Sequence, residues 1–397
     1  MILGWYGFGN LGDELILDCI LRGVKSACPK VEFVVLSNDP METHAKHGVR
    51  SLSKGGGRIS RLRRMWEMAD ASLFILGGGQ LLKQQGSNTL SFLAWLGPVE
   101  LAHELGVKTM TYAVGVSGQW SRLSQRAMLR ILTNTDVVTV RDNASLVNLR
   151  QLAISKGILT ADPAILLADL HAKARERSLG GRPTVSVFLR HWFVENEYTK
   201  DEPRWNDFKS SLASSLDSLV ARHSISLRFV PMRTSTPDDD SEVAREVTQL
   251  MRYKGQVECL DRDITPSEML TIVAESDLVV GMRLHSLIVA ASLGVPAIAV
   301  NYESKVKAFA SSVGADDWIV EVDGSGATAI KDLAENVLIG LYPEARVSEK
   351  VGELKELARA NAAVAARLLQ ESDTARSRRV LRVVKVLLTR LFRRKKA

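Results

Sequence analysis

The sequence predicts an α/β fold of two doubly wound, Rossmann-like domains facing one cleft, followed by a C-terminal helical tail. Three observations carry this. Short β-branched apolar runs alternate with amphipathic stretches of helical length over most of the chain. Apolar strands joined by helical crossovers make parallel sheets covered on both faces. The alternation breaks once, at 170–183 (LHAKARERSLGGRP), where the chain is charged, glycine-rich and closed by proline, and then restarts. A length of 397 residues suits two domains and an appendage.

In the first domain, 1–169, strands are expected at 2–6, 32–36, 72–76, 108–113 and 136–140, with helices at 13–27, 58–68, 88–105, 121–134 and 143–152. The linker 170–183 leads to the second domain, 184–343. Its strands are expected at 184–189, 226–230, 257–260, 278–280 and 297–300, and its helices at 205–222, 238–253, 266–275, 284–293 and 304–313. Residues 344–397 read as a long helix to about 370 and a basic tail. Two stretches imitate membrane spans. Residues 71–99 are broken by three glycines and by polar residues, and 286–302 are cut by Gly294 and Pro296, so neither offers about 20 continuous apolar residues.

The formal charge of +7 is concentrated at one end. Residues 376–396 hold ten basic residues and no acid; without them 42 basic residues face 45 acidic ones. A diffuse nucleic-acid surface is therefore excluded as a first reading. Cys19, Cys28 and Cys259 have no CxxC spacing and suit buried thiols in a reducing compartment. The N-terminus shows no basic leader before an apolar run, so a cytoplasmic protein is expected. His44 and His47 stand without further metal ligands nearby, and neither GxSxG nor a Walker A loop is present. No metal and no resident cofactor are expected.

Ligands of open α/β sheets bind beyond the carboxyl ends of the strands, and those ends carry the chemistry here. Gly7-Phe8-Gly9-Asn10-Leu11-Gly12-Asp13-Glu14 follows the first strand. Glycines allow a sharp turn and close approach, and the helix start beyond them suits an anion. Without an acid clearly ending the second strand, a dinucleotide site is weakly supported; plain helix-start chemistry for Asp13 and Glu14 is the alternative. Gly77-Gly78-Gly79, Gly115 and Arg141 mark further strand ends. In the second domain Arg190 follows VSVFL, as a cleft residue or one half of a surface ion pair. Thr236, Pro237 and Asp238-Asp239-Asp240 read as an ordinary helix start, with Thr at the cap and Pro at N1. Gly281-Met282-Arg283-Leu284-His285-Ser286 is the most informative stretch. It places an arginine fork and a titratable imidazole at a helix N-terminus, an arrangement suited to an anion. Lys305 adds a cation after the next strand.

Residues 53–64 (SKGGGRISRLRR) suit a diphosphate, a membrane, or a solvated basic helix. In the tail, Val380, Val384, Leu387, Leu388 and Leu391 share one helical side and Arg378, Arg382, Lys385, Thr389 and Arg393 the other. A basic amphipathic helix reads as an element of an anionic membrane surface; docking on its own protein is the alternative.

The motifs GWYGFGNLGDELIL, LGGGQLL, YAVGV, VRDNAS, ADPA, FLRHW and GMRLHSLIVAASLGVPAIAVNYESKV together resemble the polysaccharide pyruvyl transferase family, and within it the type that anchors S-layer proteins to the cell surface. The likeness runs over about residues 1–320, with YESKV in place of an expected YDPKV. It implies a GT-B-like fold and ketal transfer of pyruvate from phosphoenolpyruvate to a sugar. The implied acceptor is N-acetylmannosamine in a lipid-linked wall-polysaccharide precursor, at the inner face of the membrane. It implies that Arg283 and His285 bind phosphoenolpyruvate, with Arg190 as a third contact. A donor with a phosphate and a carboxylate needs several fixed cations, which adds Lys305. Ketal formation needs a general acid and a general base; His285 and Asp13 are the candidates. Asn10, Asp13, Glu14, Gly78, Gly79 and Arg141 are expected on the acceptor side. Two other readings compete: a GT-B glycosyltransferase using a nucleotide sugar, and a non-catalytic membrane-peripheral scaffold.

Overall fold

The computed structural model describes every residue except 85–88, 173–180, 193–200, 236–237, 373–382, 384–385 and 387–397. The chain divides into two compact units. One comprises Met1–Phe8, Ile16–Pro163 and the described residues from Lys355 onward; the other comprises Gly9–Leu15 and Ala164–Leu354.

The first unit contains β1 (Ile2–Leu3), most of α1 (Leu11–Ala27), β2 (Val34–Ser37), α2 (Pro40–His47), β3 (Arg50–Ser53), α3 (Arg58–Ala69), β4 (Leu73–Gly77), β5 (Leu82–Gln84), α4 (Thr89–Glu104), β6 (Lys108–Val114), β7 (Val116–Gly118), α5 (Arg122–Asn134), β8 (Val137–Val140), α6 (Asn143–Gln151) and β9 (Gly157–Leu159). Seven of these strands form one parallel sheet in the order β3-β2-β1-β4-β6-β8-β9, and β5 pairs with β7 apart from it. The reversal of direction on either side of β1 is the doubly wound pattern. β4 is buried at every position, as a central parallel strand must be. β1 stops at Leu3, short of the expected 2–6, because the chain turns and sends Tyr6 into the core, where its hydroxyl donates to Gly77 O at 3.3 Å. α2 and β3 were not expected: α2 buries only Thr43, too little apolar surface to leave a periodic signal.

The second unit holds the first turn of α1, α7 (Leu167–Leu170), β10 (Thr184–Phe188), α8 (Glu202–His223), β11 (Ser226–Phe229), α9 (Asp240–Leu250), β12 (Val257–Cys259), α10 (Pro266–Ala274), β13 (Leu278–Gly281), α11 (Leu284–Leu293), β14 (Ala297–Asn301), α12 (Ser304–Ser312), β15 (Ile319–Glu321) and α13 (Gly324–Leu338). Its six strands are parallel, in the order β12-β11-β10-β13-β14-β15. The predicted α/β class and paired Rossmann-like sheets are therefore what the chain forms.

α14 (Glu344–Glu371) follows, and from Lys355 on it packs with the first unit. Ala358, Ala365 and Leu368 are buried there. Fully enclosed Asn361 sets its Oδ1 2.7 Å from Thr139 Oγ1 of β8. Most of the tail, including the ten residues that define its two predicted sides, lies outside the described residues. Val383 and Val386 are described: both are helical and buried in the first unit's core. That part of the tail docks on its own protein.

Candidate active site

The second unit brings the two most informative motifs together. Asn10 caps α1 with its own chain: Gly12 N donates to Asn10 Oδ1 at 3.1 Å, and Asp13 N to Asn10 O at 3.1 Å. Asn10 Nδ2 donates to Asp13 Oδ2 at 2.7 Å, fixing a half-buried carboxylate. Glu14 is 1% exposed. Leu11 N donates to Met232 O at 2.9 Å, tying this helix start to the loop beyond β11. Gly12 lies against the ring of His285; a Cβ there would stand 2.3 Å from Nδ1. His285, in the first turn of α11, is thus held beside a glycine that no larger residue can replace without displacing one of them.

Arg283 occupies the N-cap position of α11 and is buried. Its Nε donates to Asp240 Oδ2 at 3.0 Å and its Nη2 to Asp238 Oδ2 at 2.9 Å, with a further bond from Nη2 to Asp240 Oδ1. Nη1 makes none of these bonds. Arg190, two residues beyond β10, is 2% exposed. It donates through Nη2 to the same Asp238 Oδ2 at 3.1 Å and through Nη1 to Tyr302 Oη at 3.0 Å, with its guanidinium 4.8 Å from the Tyr302 ring centre. One carboxylate therefore spans two buried arginines from adjacent strands of the sheet. Asp240 also accepts from Met232 N at 2.9 Å. Through Met232 the Arg283 cluster and the Asn10 cap share one loop.

The electrostatics follow from burial. Desolvation raises the Asp240 carboxyl above the usual aspartate range, against the opposing pull of Arg283. For Arg283 burial works to lower the pKa, but the charges of Asp240 and Asp238 outweigh it and hold the guanidinium firmly protonated. Lys305 pairs with buried Glu303, the N-cap residue of α12, and lies 5.7 Å from the Tyr302 ring centre. The second unit thus gathers Asn10, Asp13, Glu14, Arg190, Arg283, His285 and Lys305.

The remaining expected residues belong to the first unit. Gly78 and Gly79 follow β4 with positive φ, and Gly78 N donates to Tyr112 O at 2.8 Å while Gly79 O accepts from Gly115 N at 2.8 Å. A Cβ on Gly78 would stand 2.0 Å from Ile16 Cγ2, so this glycine serves close packing on α1. Arg141 is buried, with Nε 3.2 Å from Asp142 Oδ2 and Nη1 3.3 Å from Asp162 Oδ2.

Asp238 and Asp240 were missed as site residues. The expectation of an ordinary helix start with Thr236 at the cap needs correcting: Asp239 is the N-cap, its Oδ1 accepting from Ser241 N at 2.9 Å, and α9 begins at Asp240. Thr236 and Pro237 lie outside the described residues. Asp238 and Asp240, flanking the cap, turn inward to the arginines. The available signal was three consecutive acids where one suffices for a cap. The surface-pair alternative for Arg190 is also corrected, since both partners of its ion pair are about 2% exposed.

A family model described as polysaccharide pyruvyl transferase matches residues 10–304. The amylovoran biosynthesis protein AmsJ of Erwinia amylovora is 22% identical over 272 residues, covering 62% of this chain and 63% of that protein. The chain thus aligns with less than two thirds of this curated relative's length. Among solved structures, a Listeria monocytogenes protein designated UDP-N-acetylglucosamine 2-epimerase superposes with a TM-score of 0.61 at 9% identity, covering 94% of this chain and 97% of that one. A glycosyltransferase from Rickettsia africae gives 0.55 at 12% identity, covering 93% and 95%. At these identities the structures speak to the fold alone, which is that of two-Rossmann glycosyltransferases and epimerases.

Proposed function

The chain belongs to the polysaccharide pyruvyl transferase family, and we propose that it transfers pyruvate from phosphoenolpyruvate, as a ketal, onto two hydroxyls of a sugar. N-acetylmannosamine in a lipid-linked wall-polysaccharide precursor is the proposed acceptor, worked on at the inner face of the membrane. The observation that carries the donor assignment is the convergence of buried Arg190 and Arg283 on Asp238, beside His285. Phosphoenolpyruvate presents a phosphate and a carboxylate, and guanidinium forks match both. Donor binding then means exchange: an incoming oxyanion takes Nη1 of Arg283 or displaces an aspartate from it.

The balance of the reaction assigns the protons. The methylene carbon gains one hydrogen to become a methyl group, and two C–O bonds form at the central carbon while its bond to the phosphate oxygen breaks. Of the two acceptor hydroxyl protons, one balances the methyl group and the other leaves with phosphate. We assign His285 to protonation of the methylene or of the departing phosphate, and Asp13 to removal of a hydroxyl proton. Fixed cations stabilise the charge on the leaving phosphate. Phosphoenolpyruvate is a co-substrate, so the scheme uses no resident cofactor.

The test is the thermal midpoint with and without millimolar phosphoenolpyruvate, on the wild type, Arg283→Lys and His285→Asn. A ligand that binds only the folded state raises the midpoint. A rise in the wild type that shrinks in Arg283→Lys, which keeps the charge and loses the fork, supports the donor site. A rise with nucleotide sugars and none with phosphoenolpyruvate would move the assignment to glycosyl transfer.

A further inference from the structure

α3 and the residues leading into it carry a surface that the pyruvyl-transfer site does not use. From Thr43 to Trp66 the chain has seven Lys or Arg residues and no acid. α3 buries one side, Met65, Met68 and Ala69, in the first unit's core. Bordering that side, Ile59 is 84% exposed, Leu62 44% and Trp66 36%. Positions 59, 62 and 66 fall within one stripe at 3.6 residues per turn. Arg61 and Arg63 are exposed and enter no ion pair among the described residues. Arg64 folds back to donate to Ser53 O at 3.0 Å and to Gly55 O, which anchors α3 to the end of β3. Burial, and then the charge of Arg61, lower the Arg64 pKa.

An aromatic cluster adjoins the same segment. Lys54, just past β3, sets its ammonium 3.9, 4.7 and 5.0 Å from the ring centres of Phe8, Trp95 and Trp5. Trp5 stacks on Phe8 at 4.2 Å and remains 38% exposed. Leu90, at the start of α4, the helix that holds Trp95, is 82% exposed.

We infer that this face of the first unit, α3 with Lys54 and Trp5, docks on an anionic phospholipid bilayer. An exposed apolar stripe flanked by arginines suits a helix lying in the membrane interface, with tryptophan at headgroup level. Lys46 pairs with Glu42 and Arg50 with Glu67; the charge that selects the occupant is that of exposed Arg61 and Arg63, which complements an anionic leaflet and repels a basic partner. The inference rests on the reading above only for the membrane-bound acceptor. It also differs from the expectation for the tail, whose described residues Val383 and Val386 are buried in the protein.

The test is flotation of the full chain with vesicles of equal parts phosphatidylcholine and phosphatidylglycerol, against pure phosphatidylcholine. The wild type floats with the anionic vesicles and less so at high salt. Ile59→Ser/Leu62→Ser and Arg61→Gln/Arg63→Gln each reduce partitioning by on the order of tenfold. All four side chains are exposed, so both variants keep the wild-type thermal midpoint. Arg393→Gln/Arg394→Gln/Lys395→Gln/Lys396→Gln, which removes four of the tail's ten basic residues, still floats. Loss of flotation only in the tail variant, or no flotation of the wild type, overturns the inference. So does a dimer in gel filtration that Ile59→Ser/Leu62→Ser dissolves without any vesicle binding. Flotation needs no turnover, so failure of the docking face and failure of pyruvyl transfer are separate results.

Discussion

At Gly12 a hydrogen atom stands where any other residue places a carbon, and His285 fills the space beyond it. Gly12→Ala must push the imidazole aside. The expected result is a loss of about 1–3 kcal/mol in urea unfolding, with a fall in transfer rate larger than that loss explains. Asp13, the next residue, accepts a hydrogen bond from Asn10 Nδ2 at 2.7 Å. Asp13→Asn should keep the phosphoenolpyruvate-induced rise in midpoint and lower turnover by about 10²- to 10⁴-fold; undiminished turnover would remove Asp13 from the base role. Asp240 and Arg283 behave as one unit. Asp240→Ala leaves a buried guanidinium with one carboxylate fewer, and urea unfolding should register a loss of roughly 3 kcal/mol. The sequence showed Arg283 and His285 because a turn, an arginine, an imidazole and an uncharged helix follow one another within a few residues. It did not show their partners. Asp238 and Asp240 lie more than forty positions away from Arg283, and acids before a helix look the same whether they face solvent or a buried arginine.

Among the elements, α11 is the most legible: its expected span of 284–293 is the span observed, because a strand, a glycine and a left-handed Gly294 bracket an uncharged run. α13 was missed because it opens Gly-Ser-Gly, and only Asp323, accepting from Gly326 N at 2.8 Å, caps it. The cap is local, but an Asp followed by Gly-Ser-Gly reads equally well as a turn. Asp136, just before β8, staples that strand to β6: Thr109 N and Thr109 Oγ1 each donate to its Oδ2 at 2.9 Å, and Lys108 Nζ lies 3.1 Å from Oδ1. Partial burial works to raise its pKa, but the bonds from Thr109 and Lys108 outweigh it, so the carboxyl sits below its usual value. A depressed acid stabilises the fold above the unfolded-state pKa of about 3.9, and that contribution disappears as pH falls through the lower, folded value. Asp136→Asn should therefore be less stable than the wild type at neutral pH and approach it below about pH 4, read as urea midpoints across pH. In α14, Asn361→Ala should lose about 1–3 kcal/mol in thermal unfolding of the first unit, because it strands buried polar groups around Thr139 and Ala161.

For the whole molecule, strand and helix alternation was enough to read two parallel sheets, because each strand is a short apolar run and each crossover is amphipathic. What alternation cannot express is that the chain's two units are not contiguous in sequence. Gly9–Leu15 belongs with a stretch that begins only at Ala164, and α14 from Lys355 on belongs with the N-terminal half. Both assignments depend on particular bonds, Leu11 to Met232 and Asn361 to Thr139, and no local pattern encodes a bond of that span. This exchange has a consequence for inheritance and for engineering. A gene cut at the linker yields an N-terminal product lacking its last helix and a C-terminal product lacking its first loop. Neither piece is an independent module that recombination could transplant into another enzyme, and the two should regain a native state only when produced side by side.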